Sequence, residues 1–458
     1  MDINKIIEEC KKINDEYHYF NTIDEGLNSK SSNCYESSIR KTPKKQGDGK
    51  LNNIAISVKD CICVKGLESR AGSKILEKYK PVFDATVIEK VKQQGAIIIG
   101  KTAQDAFGFG SFSTNVGKDM KIPLNPFDKE RACGGSSGGS AGITQKASFR
   151  HITLSESTGG SIVCPASFCG VIGLCPTYGR VSRYGLMDYA NSLDKIGPMA
   201  RSMDDIALIM EIISGYDEKE STTLNEEVPK YSDFLKKDIK GMKIGIIKEA
   251  FGKGIDKEVK EKVEQGIKKL EQLGAKTEFI SLPLTQKYGV ETYYLLAMCE
   301  ASTNLAKYCG MRYGAAEKLE GSFNEYFSKV RSDYFNDESK RRIIIGTFAR
   351  MAGYRDAYYI KAAKVRTKII EEYKKAFAKF DLLLSPTMPF VAPKFKDIEK
   401  LTPLQNYMAD ILTVGPNLAG LPHISIPAGF NKDKMPIGLM LIADHLKEEK
   451  LIQAGSKL

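Results

Sequence analysis

Three short stretches of this chain hold residues able to attack an amide. Lys59 closes the apolar run IAISVK, a glycine–serine cluster GGSSGGSAG runs from Gly134 to Gly142, and a second, STGGSIVCPASFCG, runs from Ser157 to Gly170. A serine hydroxyl is a weak nucleophile until a neighbouring base takes its proton. A lysine can be that base only when its ammonium is deprotonated, and burial works in that direction by disfavouring charge. Lys59 follows an apolar run, so its side chain starts from buried structure. Taken alone, a lysine at a strand end would point to solvent. The order of lysine, first cluster and second cluster is what singles it out. The TGGSI turn could supply consecutive backbone N–H groups to a developing oxyanion, on glycines that let a substrate come close. The chemistry these parts point to is attack by serine on an amide carbonyl, with lysine as the ultimate base.

Other chemistries fit these residues less well. GGSSGGSAG lacks the Gly-Lys-Ser/Thr ending of a phosphate-binding loop. It satisfies G-x-S-x-G around Ser136, but that elbow needs a strand directly before the serine, and NPFDKERAC reads as loop. The histidine of such a triad would have to be His423 or His445, with Asp410 upstream. The four histidines show no metal-ligand spacing and the ten cysteines no CxxC pair, which predicts reduced thiols and no metal site in this chain.

The elements that must position these residues alternate. NNIAISVKD reads as a buried strand ending at Lys59, DATVIEKVKQQGA as a helix, and AIIIG as the next strand, before Lys101. This is the βαβ rhythm of an α/β protein. Residues 121–142 read largely as loop. SMDDIALIMEIISG reads as a helix with Ser202 as N-cap and Gly215 beyond its end. MKIGIIKE is a strand, DKEVKEKVEQGIKKLEQLGA an amphipathic helix, and residues 292–380 a helical section. DLLLSPTMP and HISIPAG are two further strands. No repeat or composition break divides the 458 residues, and 42% apolar content can fill a large core, so one domain over 1–458 is expected. Within it, 1–50 is a helical and loop lead-in, 54–215 the core that holds the clusters, and 216–458 the remainder. The net charge of +11 comes from lysines spread along the chain, so it permits an RNA partner without requiring one. The N-terminus has no signal-peptide core and no stretch is long enough for a membrane span, which predicts a cytoplasmic protein.

Lys59, GGSSGGSA and GGSI…PASFCGVIGLCPTYGRVSRYG resemble the amidase signature family, from about Ile54 to the C-terminus. The resemblance implies a mixed central β-sheet covered by helices on both faces, and a Ser–Ser–Lys triad. Its bridging serine, on a cis peptide bond, relays a proton between nucleophile and lysine. Carried over residue by residue, the lysine is Lys59, the bridging serine Ser136 and the nucleophile Ser161. The oxyanion donors are the N–H groups of Thr158, Gly159 and Gly160. Within the family, GLESRAGSKIL, KRRIIIGTFARMAGYRDAYYIKAAKVRTKI and NLAGLPHISIPAG are similar to one branch, the A subunits of glutamyl-tRNA(Gln)/aspartyl-tRNA(Asn) amidotransferases. The branch implies hydrolysis of glutamine, with ammonia passed to partner subunits B and C that bind ATP, Mg and the misacylated tRNA, and no cofactor in this chain. It also implies an arginine for the α-carboxylate of glutamine and an aspartate for its α-ammonium. The matching residues are Arg341 or Arg342, with Arg342 preferred, and Asp410. Four features depart from the family pattern. Ser157 stands where an aspartate is usual, Val163 where an arginine is usual, and Ala315 in place of a tyrosine near the glutamine pocket; the two serines stand one residue further apart than is common. Ser157 and Val163 motivate one alternative, a catalytically impaired scaffold subunit; a stand-alone amidase on small amides is another.

Overall fold

Among the described residues, 2–28 and 49–458 of a computed structural model, eleven strands form one sheet. In chain order they are β1 (Phe20–Ile23), β2 (Ala55–Lys59), β3 (Ile97–Thr102), β4 (His151–Ser157), β5 (Ile172–Cys175), β6 (Lys195–Ala200), β7 (Lys243–Ile247), β8 (Lys276–Ile280), β9 (Leu382–Pro386), β10 (His423–Phe430) and β11 (Pro436–Ala443). Their order across the sheet is β1-β3-β2-β4-β6-β5-β10-β11-β9-β7-β8. The sheet is mixed: β2 runs parallel to both β3 and β4, and β7 to both β8 and β9, while the other pairs are antiparallel. The first six strands therefore fill one side of the sheet and the last five the other, joined where β5 meets β10.

Successive side chains of a strand face opposite sides, and this sheet buries both except toward its edges, where β8 is exposed. Ile56, Ile98, Leu174 and Ile196 belong to one core layer, with the helices Thr86–Gln93 and Met203–Ile213. Ala55, Ile99, Cys175 and Met199 belong to the opposite layer, with the helices Ile3–Tyr17, Gly138–Lys146 and Val163–Cys169. Strands buried on both faces read as unbroken apolar runs, as IAISV and LLLS do.

The elements expected from sequence are present at β2, β3, β7, β9 and β10, and at the helices Thr86–Gln93, Met203–Ile213 and Lys257–Gln272. Ser202 caps its helix, accepting from the Asp205 N–H at 3.2 Å. The helical section begins earlier than expected, at Pro283, whose fixed φ suits a first turn. The stretch read as loop to residue 142 turns helical at Gly138. Three tightly packed glycines made that segment look like a turn: a Cβ at Gly139 would lie 2.7 Å from the Ala103 carbonyl oxygen. Of the lead-in, Ile3–Tyr17 is a helix with Asp2 as its N-cap, while residues 29–48 lie outside the described residues.

Candidate active site

β2 and β4 are adjacent and parallel, so Lys59 and the Glu156–Ser157 pair close the same end of the sheet. Beyond Ser157 the chain turns through Thr158–Ile162 and enters the helix Val163–Cys169. The strand–turn–helix that G-x-S-x-G would have required at Ser136 is thus found at Ser161. The first cluster packs against that helix: a Cβ on Gly134 would lie 2.8 Å from Pro165 Cα. The Gly135–Ser136 peptide bond is cis.

Lys59 is fully buried and its Nζ donates to Ser136 Oγ at 2.7 Å. It also donates to the Glu156 carbonyl at 2.9 Å and to Glu156 Oε2 at 2.8 Å. Ser161 is 6% exposed, and its hydroxyl takes up no hydrogen bond among the described residues. In the turn above it, the Gly159 carbonyl accepts from Ser157 Oγ at 3.0 Å and from Asn417 Nδ2. The two ends of a trans peptide point opposite ways, so the N–H of Gly160 faces away from those donors. Gly160 has no room for a side chain, since its Cβ would lie 2.6 Å from Thr413 Oγ1. The N–H of Gly160 is thereby left able to serve an oxyanion.

A cavity of about 690 Å³ opens nearby, lined in part by Ser111, Glu338, Arg341, Arg342 and Tyr407. Ser111 ties it to the first cluster, because its carbonyl accepts the Gly135 N–H at 2.8 Å. Its hydroxyl donates to Asp410 Oδ2 at 3.0 Å, and Tyr294 donates to the same oxygen at 2.6 Å. Burial pushes the Asp410 carboxyl up from its ordinary range. Arg342 is 2% exposed and lies over the rings of Phe109, Tyr294 and Tyr407, with Nη1 donating to Tyr189 at 2.6 Å and Nε to Glu338 at 2.8 Å. Arg341 pairs with the other Glu338 oxygen and its side chain is 40% exposed. Of the two arginines, Arg342 is the buried one, enclosed by rings that favour a cation. A desolvated guanidinium and a desolvated carboxylate beside one cavity are suited to a zwitterion.

Sequence reasoning missed Glu156, Asp194, Ser111, Glu338, Tyr294 and Tyr407. Only Glu156 left a signal, as the single charge in HITLSES. The departures have physical correlates. Ser157 and Val163 are both fully buried, and Ser157 lies opposite the buried Lys195 across β4 and β6. Ala315 is anchored by its N–H to the Ile75 carbonyl and is not among the residues lining the cavity. His423 and His445 are engaged away from both serines, His423 with the Leu421 carbonyl and Asn417 and His445 with the Ala419 carbonyl. Among the described residues no group of three or more His, Cys, Asp or Glu side chains is placed to hold a metal ion, and no helix is long and apolar enough to cross a membrane.

Comparison with known proteins gives concordant results. The family model described as Amidase matches residues 3–452. The chain is 48% identical to the A subunit of glutamyl-tRNA(Gln) amidotransferase from Koribacter versatilis, over 89% of this chain and 84% of that one. It is 48% identical to its counterpart from Microcystis aeruginosa, over 88% and 83%. Among solved structures, the counterpart from Thermotoga maritima superposes with a TM-score of 0.79 at 36% identity, covering 98% of this chain and 89% of the other. A peptide amidase from Stenotrophomonas maltophilia superposes with a TM-score of 0.72 at 26% identity, covering 90% and 82%.

Proposed function

Because the chain belongs to the amidase family, we propose that it is the glutamine-hydrolysing subunit of a tRNA-dependent amidotransferase. Ser161 attacks the side-chain amide carbon of glutamine. Its proton passes to Ser136 and from there toward Lys59, and the N–H groups of Thr158, Gly159 and Gly160 receive the oxyanion. The proton returns to the nitrogen, which leaves as ammonia, and water then releases glutamate from the acyl-enzyme. The observation that supports this reading is a buried arginine, Arg342, in the cavity wall and a buried aspartate, Asp410, hydrogen-bonded to Ser111 of the same wall. A simple amide needs neither charge, whereas glutamine carries an α-carboxylate for the guanidinium and an α-ammonium for the carboxylate.

The ammonia serves partner subunits B and C, where ATP and Mg activate the misacylated tRNA, in the cytoplasm. The similarity to amidotransferase A subunits supports this assembly. The test is ammonia release from glutamine by the purified chain, alone and with partner subunits, ATP and misacylated tRNA, using Ser161→Ala as control. Slow release that the additions accelerate, and that Ser161→Ala abolishes, is the expected result. Full release by the chain alone, unchanged by any addition and extending to small amides, would indicate a stand-alone amidase. No release in the complete assembly, while free ammonia still supports amidation of tRNA, would indicate a scaffold.

A further inference from the structure

The turn that precedes Ser161 is held partly from the far half of the chain. Thr158, at its start, is tied down locally: its hydroxyl lies 2.6 Å from Glu156 Oε1 and 2.7 Å from Asp194 Oδ1. The two glycines that follow have no side chains to fix them, and their surroundings do it instead. A Cβ on Gly159 would lie 2.8 Å from Tyr293 Cζ, and one on Gly160 2.6 Å from Thr413 Oγ1. Such packing limits where the Gly159–Gly160 peptide sits more than how it is turned. Its rotation decides where the Gly160 N–H points, because the Gly159 carbonyl points the opposite way.

Two side chains set that rotation. Ser157 Oγ donates to the Gly159 carbonyl at 3.0 Å, and Asn417 Nδ2 donates to the same oxygen. Ser157 ends the strand that leads into the turn and moves with it. Asn417 is 1% exposed, stands 258 residues along the chain from Gly159, and belongs to the short helix Val414–Leu418. Its amide is itself held. Nδ2 donates to the Thr413 carbonyl at 2.9 Å. His423 Nδ1 donates to the Leu421 carbonyl at 3.0 Å, which leaves Nε2 as an acceptor 3.2 Å from Asn417 Nδ2. On the other side, the Cys175 thiol donates to Asn417 Oδ1 at 3.8 Å. Acceptors around the nitrogen and a donor at the oxygen allow one orientation of the amide.

Asp410, Thr413 and Asn417 share one helical segment. The Asp410 carbonyl accepts the N–H groups of Thr413 and Val414 at 2.9 and 3.1 Å, and the Thr413 hydroxyl at 3.1 Å. Residues three and four apart on a helical turn lie on one face. That face presents a carboxyl to Ser111, a hydroxyl to Gly160 and an amide to Gly159.

We propose that Asn417 is a positioning residue for the reaction: by fixing the Gly159 carbonyl it turns the Gly160 N–H toward the oxyanion that forms when Ser161 attacks. This rests on the reading of Ser161 as nucleophile given above. Asn417 touches no reacting atom and carries no proton. Its hydrogen bond is in place before attack, so the donor needs no reorganisation as charge develops. Without it the peptide is held by Ser157 alone, and the Gly160 N–H is aimed over a wider range of directions. The loss falls on the transition state, where the oxygen is charged, and little on bound glutamine, whose neutral amide oxygen takes a weaker hydrogen bond.

The experiment compares wild type with Asn417→Ala, each as the full chain assembled with its partner subunits. Three quantities are measured: kcat/KM for glutamine, the affinity of norvaline, and the affinity of a glutamine analogue with a boronic acid in place of the side-chain amide. Norvaline keeps the α-carboxylate and α-ammonium but has no side-chain carbonyl. Boron bonded to Ser161 Oγ becomes tetrahedral and negatively charged, so one of its oxygens takes the place of the oxyanion. Asn417→Ala is expected to lose about ten-fold or more in kcat/KM, short of the 10²–10³ of a donor removed outright because Ser157 remains. The boronic acid should weaken by the same factor, and norvaline should bind as before. Equal weakening of both ligands would mark a change in the shape of the pocket and overturn the proposal. So would an unchanged boronic acid affinity beside a fall in kcat/KM, or no loss at all. Should Asn417→Ala fail to fold, a crystal structure of wild type with the boronic acid bound decides: no boronate oxygen within hydrogen-bond distance of the Gly160 nitrogen overturns it. Activity retained by Ser161→Ala would overturn the underlying reading, whereas full activity of Asn417→Ala with Ser161→Ala inactive overturns the role of Asn417 alone.

Discussion

Asp410→Asn is expected to raise the KM for glutamine about 10- to 100-fold while kcat changes little. Asp410 Oδ2 already accepts from Ser111 at 3.0 Å and Tyr294 at 2.6 Å, which leaves Oδ1 for an α-ammonium. Asn keeps an oxygen for the two hydroxyls, so the local packing survives. It places an NH₂ where the ammonium would bind. The loss is one charge-assisted hydrogen bond, about 1.5–3 kcal/mol, which converts to the stated range. The assay is initial-rate ammonia release over a glutamine series, repeated with an analogue lacking the α-amino group. Wild type should discriminate between the two substrates, and Asp410→Asn should not. Acidification adds a signed check. Burial raises the Asp410 carboxyl, so on acidification its ionised form is lost earlier than for an exposed aspartate. The KM of wild type should rise as pH falls, and that of Asp410→Asn should follow less steeply. An unchanged KM, or an equal loss on both substrates, would remove Asp410 from the pocket.

Lys59→Ala and Ser136→Ala should each reduce glutamine hydrolysis nearly as much as the double variant, because they share one relay; independent multiplicative losses in kcat would contradict that. Gly160→Ala should cost about 10²–10³ in kcat, the scale of one lost oxyanion donor, since its Cβ would lie 2.6 Å from Thr413 Oγ1 and the turn must shift. Steady-state rates beside a thermal melt separate this from unfolding. Burial pushes the Asp105 carboxyl up to about 6 from an ordinary 3.8. A raised carboxyl adds stability that is full below the unfolded-state value and is lost as pH rises through the folded-state value. Asp105 should therefore cost wild type on the order of 3 kcal/mol above pH ~6, seen as a denaturation midpoint that falls between pH ~4 and ~7; a flat midpoint would refute it.

The parts of the site that were legible in sequence are those fixed by local pattern. Lys59 stood out by its place at the end of an apolar run ahead of two glycine–serine clusters, and Ser136 and Ser161 took their expected roles from the family resemblance. The helix Met203–Ile213 was bounded by its cap and glycine. Glu156 was not legible in its role, because what brings it to Lys59 is the parallel pairing of β2 with β4, in which Val58 faces Leu154. Such a register depends on the whole sheet and leaves no mark in a window of ten residues. Ser111 and Asp410 meet across nearly three hundred residues of chain, so neither could announce the other. The helix from Gly138 was misread because glycine chosen for close packing looks the same in sequence as glycine chosen for a turn.

The division of the sheet at the β5–β10 seam has a consequence for how the protein becomes active as it is made. Lys59, Ser136 and Ser161 all precede that seam in the chain, and Arg342 and Asp410 come from the later half. On the function proposed, a chain emerging from the ribosome would complete its nucleophile first, with the residues assigned to glutamine following some 250 residues later. Truncated products would then lack glutamine hydrolysis. Two fragments severed in the largely exposed stretch 224–230 would each be inert. Mixed, they would recover activity only as fast as the two halves found one another, with a rate set by their concentrations.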